Sequence, residues 1–221
     1  MSYLEKYRKS DFERLGWEEY GEILEELFRK VGKYVKENNI QIDAVVPILR
    51  GGAFPGTFLA FKFHLLRILP VQYKYFFSGR DLVLKKLFGL SKSDFKTKEN
   101  PIFLLVENNH CFGLTAETAA KDLKTEFPDC RIIYAADLMD YSYQKNKYAE
   151  AIFYGKLNNE TKKLSDDECK KLGIDNKSRL FPWEDIEEEW ITVQGEQFKY
   201  ADVEKISASS ENKAKVNLNE L

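Results

Sequence analysis

The sequence has 221 residues, 43% of them hydrophobic and 14% aromatic, which is enough apolar surface to bury one sizeable domain core. Its 34 basic and 36 acidic residues leave a net charge of -2, so composition gives no electrostatic case for binding nucleic acid or an anionic membrane. We expect a soluble cytoplasmic protein, because the sequence has neither an apolar run of membrane length nor a signal-peptide region. The three widely spaced cysteines and two histidines predict no disulfide framework and no zinc site.

The first part of the chain predicts an arm, a helix and then buried strands. A polar arm over residues 1–16 precedes an amphipathic helix over 17–38, where apolar residues recur at three- and four-residue steps. Further elements are expected in chain order: a strand at 42–49 that ends in Arg50, Gly51 and Gly52, a helix at 54–69, and a strand at 71–76. The lysine-rich segment 78–100 predicts a mobile loop outside the core.

The most informative stretch runs from residue 101 to residue 121. Five consecutive apolar residues, 102–106, predict a strand that is covered on both faces, as in a parallel sheet. We interpret the polar run from Glu107 to His110 as a loop, after which a Gly-Leu-Thr turn opens an alanine-rich helix that extends to about residue 127. Another strand is expected at 130–136. Alternating strands and helices predict an α/β fold with right-handed crossovers and a parallel sheet.

The last part of the chain is more polar and predicts an insertion and a tail. Residues 156–177 are interpreted as an insertion over the sheet edge, with a short helix at 165–172 that begins at Ser165 and ends at Gly173. An apolar anchor at 181–184, a strand at 190–198 and a frayed tail at 207–221 follow. The expected organisation is an arm at 1–16, one domain at 17–190 and a C-terminal extension at 191–221.

Two glycine-containing loops are expected to lie at the carboxyl ends of neighbouring parallel strands, where open α/β sheets bind their ligands. One loop is Arg50-Gly51-Gly52, and the other is Gly113-Leu114-Thr115. Free backbone N–H groups and the positive end of the helix dipole favour an anion, above all a phosphate, at such loops. The retained loops argue against a scaffold that binds no ligand.

With both loops in register, the sequence resembles the type I phosphoribosyltransferases, and within them the xanthine/guanine/hypoxanthine branch, over about residues 17–184. The resemblance implies a central, mostly parallel sheet flanked by helices, with a small C-terminal insertion or hood. It also implies transfer of phosphoribosyl from phosphoribosyl pyrophosphate to a purine-like base, use of Mg2+, and a homodimer. The bound ligand would be phosphoribosyl pyrophosphate or a nucleoside monophosphate.

The resemblance also implies roles for single residues. Substrate-binding candidates are the pyrophosphate loop Arg50, Gly51 and Gly52, the basic Lys74 placed just after the second strand, the ribose-binding Asn108, and the 5′-phosphate loop Phe112, Gly113, Leu114 and Thr115. Glu107 would bind the ribose hydroxyls and the metal ion. Glu107, His110 and Cys111 are the catalytic candidates.

Several positions depart from the family pattern, which leaves two functions open. The departing residues are Asn108 for an acid, Cys111 for an aspartate, Phe112 for a threonine, Ala136 for a lysine, and Ser178 for an aromatic residue. Loss of such groups weakens catalysis by about ten- to ten-thousandfold per group. The chain is therefore either an active or residually active phosphoribosyltransferase, in which His110 takes over proton transfer, or a binding module that senses a nucleotide.

Each candidate also has a purely structural interpretation. His110 is alternatively a solvent-facing loop residue, Cys111 a small buried filler, Thr115 a helix N-cap, and Glu107 a surface acid near a helix start. A second aromatic surface is expected from residues that follow the last core strand, namely Tyr141, Tyr143, Phe153 and Tyr154.

Overall fold

Six strands form the central sheet in the computed structural model, which describes residues 12–78, 81–95 and 99–185. The strands are ordered β4-β3-β2-β5-β6-β7, and all neighbours run parallel except β3 and β4. The strand bounds are β1 Phe12–Arg14, β2 Ala44–Leu49, β3 Val71–Ser78, β4 Asp81–Phe88, β5 Ile102–His110, β6 Arg131–Asp140, β7 Ala151–Asn158 and β8 Ser178–Leu180. The helices are α1 Trp17–Glu37, α2 Ala53–Lys62, α3 Leu114–Glu126 and α4 Asp166–Leu172, with a 3₁₀ turn at Lys92–Phe95.

Helices cover both faces of the sheet, which explains the unbroken apolar runs of its central strands. In β5, Phe103 and Leu105 belong to the core beneath α3, whereas Leu104 and Val106 belong to the core beneath α1 and α2. Successive side chains of a strand point to opposite faces, so only an unbroken apolar run suits a doubly covered strand. The predicted α/β fold with a mostly parallel sheet is confirmed.

A smaller sheet and a third core cluster join the two ends of the described chain. β1 pairs in parallel with β8, and Leu15, Tyr20 and Phe181 are buried together next to Leu138 of β6. The first residues of the predicted arm that the structure describes are therefore a strand. The short helix α4 follows its prediction closely: Ser165 forms a capping box with Glu168, and a left-handed Gly173 ends the helix.

Three element ends and one whole strand differ from the sequence prediction. The helix predicted over 54–69 ends at Lys62, and Ile68 instead forms an isolated bridge with Val45. Strand β7 was not predicted, because 151–158 has no apolar periodicity that marks it as buried on both faces. Strands β5 and β6 extend past their apolar runs to His110 and Asp140, because neighbouring strands supply hydrogen-bond partners for the polar residues.

Part of the basic segment 78–100 is a strand and not the predicted loop. Residues 81–88 form β4, which pairs antiparallel with β3 and extends the sheet by one edge strand. Lysines on an edge strand oppose further strand pairing, which accounts for the composition of this segment. The predictions for residues 1–11, for the strand at 190–198 and for the tail at 207–221 lie outside the described residues. In the part of the chain that the structure describes, no helix has the length and apolarity of a membrane span.

Candidate functional site

Two helices begin at glycines that follow adjacent parallel strands. Strands β2 and β5 are direct neighbours, and the chain leaves each of them into a short loop and then a helix. Gly52 is the N-cap of α2 and Gly113 is the N-cap of α3, and neither helix has a side-chain hydrogen bond at its cap. The N-termini of both helices therefore point to the same edge of the sheet, where the positive ends of their dipoles favour two phosphate groups. In α2, the N–H groups of Gly52 and Ala53 already donate to the carbonyl oxygens of Ile48 and Arg50.

The pyrophosphate-loop glycines are required by close packing. A Cβ atom added to Gly51 would lie 1.9 Å from Oδ1 of Asn108, and one added to Gly52 would lie 2.4 Å from the carbonyl oxygen of Val106. Both distances are far below any van der Waals contact. At Gly52 the obstructing atom belongs to the backbone, so no other residue type fits there, whereas at Gly51 the Asn108 side chain would have to move. The loop predicted to bind pyrophosphate thus lies directly against the residue predicted to bind ribose.

The glycine of the second loop is required by both its conformation and its neighbour. Gly113 has φ of 75°, in the left-handed region, and a Cβ atom there would lie 2.4 Å from Cε1 of His110. Leu114 is exposed and Thr115 is half-buried in the first turn of α3. The alternative interpretation of Thr115 as the N-cap is wrong, because the cap is Gly113.

The two basic candidates lie near the first loop. Arg50 is exposed directly after β2, and its peptide bond with Leu49 is cis. Lys74 lies inside β3 rather than after it. Because Leu49 pairs with Gln72, β3 runs past the end of β2 and Lys74 is level with the Arg50 loop.

The polar residues 107–110 lie in β5 and not in the predicted loop, and two of them take part in one chain of buried hydrogen bonds. The hydroxyl of Tyr134 lies 3.0 Å from Oε2 of Glu107 and 2.9 Å from Nδ1 of His110. Nε2 of His110 lies 2.8 Å from the carbonyl oxygen of Tyr143. His110 is 1% exposed, so the alternative interpretation as a solvent-facing residue is wrong. Both of its ring nitrogens contact protein groups, and its predicted catalytic role stays a prediction.

Burial favours the uncharged forms of Glu107 and His110 in this series of hydrogen bonds. Desolvation raises the pKa of Glu107 to about 7, although the hydrogen bond from Tyr134 opposes the shift. Desolvation also lowers the pKa of His110, against the hydrogen bond to Tyr143 and the charge of Asp140. Near neutral pH the Glu107 carboxyl is therefore present in both its protonated and its ionised form.

Asn108 faces the loop after β8. Its Nδ2 atom lies 3.4 Å from Oε1 of Glu184, and the other carboxylate oxygen of Glu184 accepts a hydrogen bond from the Phe181 backbone at 2.9 Å. Trp183 stacks on Phe54 of α2 with ring centroids 4.0 Å apart, which holds this loop beside the first turn of α2. The apolar anchor predicted at 181–184 therefore closes the site on the Asn108 side.

The two remaining candidates of the second loop lie near its surface. Cys111 is half-buried, and like Cys130 and Cys169 it forms no disulfide bond. Phe112 is 44% exposed and packs edge-on against Tyr143, with ring centroids 5.1 Å apart. The predicted aromatic surface is divided, because Phe153 packs on Tyr34 of α1 instead.

Sequence reasoning missed three residues of this site: Tyr134, Glu184 as a polar contact, and the backbone of Tyr143. The only sequence signal for Tyr134 was a hydroxyl group within the otherwise aliphatic run 132–136, since a buried tyrosine hydroxyl needs a partner. That signal does not identify the partner, because Glu107 is distant in sequence and adjacent only across β5 and β6.

The residues of this site suit a metal ion that is coordinated mainly by a bound substrate and only weakly by the protein. Among the described residues, no group of three or more His, Cys, Asp or Glu side chains is arranged to hold a metal ion. Mg²⁺ often keeps several waters and is bound by one or two carboxylates together with substrate phosphates. Glu107 fits such a single carboxylate contact, and a cage made of protein side chains alone does not fit.

Comparison with known proteins gives matches in structure only. The sequence matches no protein-family model and no curated protein sequence. A xanthine-guanine-hypoxanthine phosphoribosyltransferase from Helicobacter pylori has a TM-score of 0.58 and 18% identity, over 82% of this chain and 99% of its own. A hypothetical protein from Neisseria gonorrhoeae with bound ppGpp has a TM-score of 0.58 and 16% identity, over 82% and 94%. A purine phosphoribosyltransferase from Pyrococcus horikoshii has a TM-score of 0.51 and 16% identity, over 79% and 95%.

These matches span nearly the whole of the compared chains. At such low identity a structural match reports the fold and not the activity. The chain has the fold of the type I phosphoribosyltransferases.

Proposed function

We propose that this chain binds phosphoribosyl pyrophosphate or a nucleoside monophosphate between its two glycine loops. Arg50, Gly51 and Gly52 take the pyrophosphate, with Lys74 beside them. Gly113, Leu114 and Thr115 take the 5′-phosphate, next to Phe112. Glu107 and Asn108 lie between the two loops and bind the ribose hydroxyls.

One observation carries this proposal: after the neighbouring strands β2 and β5, helices α2 and α3 both begin at an N-cap glycine, which has no side chain to cap the helix. Two helix N-termini at one sheet edge favour two separate anions through the positive ends of their dipoles. Phosphoribosyl pyrophosphate carries phosphate groups on both sides of its ribose. The matched purine phosphoribosyltransferases support this ligand class.

The activity we propose is transfer of phosphoribosyl to a purine-like base. A ring nitrogen of the base forms a bond with C1 of the ribose, the bond from C1 to the pyrophosphate oxygen breaks, and the base loses a proton. Mg²⁺, held by the ligand and Glu107, would neutralise charge on the departing pyrophosphate. Cys111 is the candidate for proton transfer by sequence position, because both ring nitrogens of His110 already contact protein groups.

A second candidate function is that of a nucleotide sensor with impaired catalysis. The contact between Asn108 and Glu184 favours it, because the position that resembles a ribose-binding acid is an amide already engaged by another side chain. The ppGpp bound to the Neisseria protein supports a guanine nucleotide with phosphates at two ribose positions as the ligand of such a sensor.

Titration calorimetry with phosphoribosyl pyrophosphate, GMP and ppGpp in the presence of Mg²⁺ tests the binding site. Arg50→Gln should weaken binding of phosphoribosyl pyrophosphate by about ten- to hundredfold, because it removes a charged hydrogen-bond donor. Arg29→Gln is the matched control, since it removes an arginine from the exposed face of α1. Wild-type protein that gives neither heat nor a thermal shift at millimolar ligand rules the site out.

Release of labelled pyrophosphate with a panel of bases separates an enzyme from a sensor. Release that is lost in Glu107→Gln supports the enzyme, whereas tight binding without release supports the sensor. If turnover appears only after Asn108→Asp and Cys111→Asp, the loop is a decayed active site. The proposed homodimer is checked by sedimentation, and location in the cytoplasm stays a prediction.

A further inference from the structure

A buried chain of hydrogen bonds begins at the proposed ribose-binding carboxylate. Glu107, Tyr134 and His110 follow one another at 3.0 and 2.9 Å, and the chain ends at the backbone carbonyl of Tyr143 at 2.8 Å. Tyr134 is fully buried and His110 is 1% exposed. Buried polar groups linked in this way hold one another in a single arrangement.

The partner atoms fix the orientation of the His110 ring. A carbonyl oxygen only accepts hydrogen bonds, so Nε2 of His110 carries a proton and donates it to Tyr143. Nδ1 then faces the Tyr134 hydroxyl, which carries a single proton. Nδ1 accepts that proton when the Glu107 carboxyl is itself protonated and donates to the hydroxyl oxygen. Rotation of the ring would break contacts at both ends of the chain.

The same histidine ring supports the proposed 5′-phosphate loop. Gly113 packs so closely on His110 that there is no room for a Cβ atom between them. Tyr143, which accepts from His110, also packs its ring edge-on against Phe112 of the same loop. The His110 ring therefore contacts the 5′-phosphate loop at Gly113 and is linked to the Glu107 carboxyl by the Tyr134 hydroxyl.

We propose that Tyr134 and His110 are positioning residues: Tyr134 holds the Glu107 carboxyl in place for the ribose hydroxyls, and His110 ties that carboxyl to the 5′-phosphate loop. The proposal rests on the proposed function in assigning ribose to Glu107. Its structural part, the coupling between Glu107 and His110 through the Tyr134 hydroxyl, stands independently of any ligand.

The binding test uses Tyr134→Phe with Tyr73→Phe as its matched control. Tyr73 also donates to a carboxylate, Oδ2 of Asp122 at 2.8 Å, but on the α3 side of β3. Tyr134→Phe should weaken phosphoribosyl pyrophosphate with Mg²⁺ by about tenfold, the effect of losing one hydrogen bond to a charged group, and leave inorganic phosphate unchanged. Tyr73→Phe should leave both affinities unchanged. In a double-mutant cycle, Tyr134→Phe should cost little more in the Glu107→Gln background, because Tyr134 acts only through that carboxyl.

A second test needs no ligand. The chain has two histidines, so ¹⁵N-labelled histidine gives one signal set from His110 and one from His64, which is exposed. His110 should appear as the Nε2–H tautomer, and Tyr134→Phe should shift its Nδ1 resonance without affecting His64. Glu107→Gln should shift the same resonance in wild-type background and have no effect once Tyr134 is Phe.

The outcomes separate the two proposals. If the wild type binds no phosphoribosyl pyrophosphate but the resonances respond as expected, the proposed function fails and the positioning chain stands. If the resonances of His110 ignore Tyr134→Phe and Glu107→Gln, the positioning chain is overturned. It is also overturned if ligand binds the wild type and Tyr134→Phe with equal affinity, or if Tyr73→Phe weakens binding as much.

Discussion

The Gly113→Ala substitution tests whether His110 supports the second glycine loop. At φ of 75° an alanine is strained by about 1–2 kcal/mol, whatever surrounds it. The added Cβ would also lie 2.4 Å from Cε1 and 2.5 Å from Nε2 of His110. That ring is held by two hydrogen bonds, each worth about 1 kcal/mol, so it cannot move aside without further cost.

We therefore expect Gly113→Ala to lower the free energy of unfolding by about 3 kcal/mol, which corresponds to a fall in Tm of roughly 9 °C for a domain of this size. Gly173→Ala is the control, because Gly173 has a similar φ of 66° and an added Cβ there meets nothing within 4 Å. It should cost about 1 kcal/mol, from backbone strain alone.

Urea unfolding followed by circular dichroism measures both variants, and calorimetry measures their affinity for phosphoribosyl pyrophosphate. A third variant, His110→Ala with Gly113→Ala, removes the obstructing ring, so in that background the glycine substitution should cost no more than it does at Gly173. Equal destabilisation by Gly113→Ala and Gly173→Ala would refute the packing argument, and so would an unchanged cost when His110 is absent.

Three further predictions concern stability and pH. Because the pKa of Glu107 is raised to about 7, folded protein binds more protons than unfolded protein between about pH 5 and 7, so this contribution to stability is present below about pH 4.5 and lost as pH rises through 7. The free energy of unfolding in urea should therefore fall more steeply with pH in wild type than in Glu107→Gln. Parallel pH dependences of the two proteins would contradict this expectation. Gly21→Ala, in mid-helix with nothing within 4 Å of an added Cβ, should raise the free energy of unfolding by about 0.5–1 kcal/mol in the same assay, and a fall would mean that α1 is packed differently. Ser165→Ala removes the capping box of α4 and should cost about 1 kcal/mol, whereas Ser165→Asp should retain most of the stability; equal loss in both would speak against the cap.

Much of the fold was predictable because its signals are local. The stripe of apolar residues in α1, the unbroken apolar runs of β2 and β5, and the Ser165 and Gly173 ends of α4 each reflect a rule of backbone or side-chain geometry over a few residues. The edge strands β4 and β7 lacked such a signal. Their residues are partly exposed, and pairing with a neighbour decides their conformation.

The candidate site was predictable in its backbone and not in its side-chain contacts. Gly51, Gly52 and Gly113 were identified from the sequence because loops after parallel strands have a known relation to phosphate. Which atoms exclude a side chain at these glycines, Asn108, Val106 and His110, follows only from the packing of β2 against β5 and of the second loop on β5.

The sequence by itself determined an α/β chain with two glycine loops at strand ends, since periodicity and turn residues act over short distances. Only the tertiary structure decided what the polar residues after those strands do. Glu107 and His110 meet at Tyr134, and Asn108 meets Glu184, across gaps of up to 76 residues. Such contacts depend on strand register, and a shift of one residue would turn each of these side chains to the opposite face of the sheet.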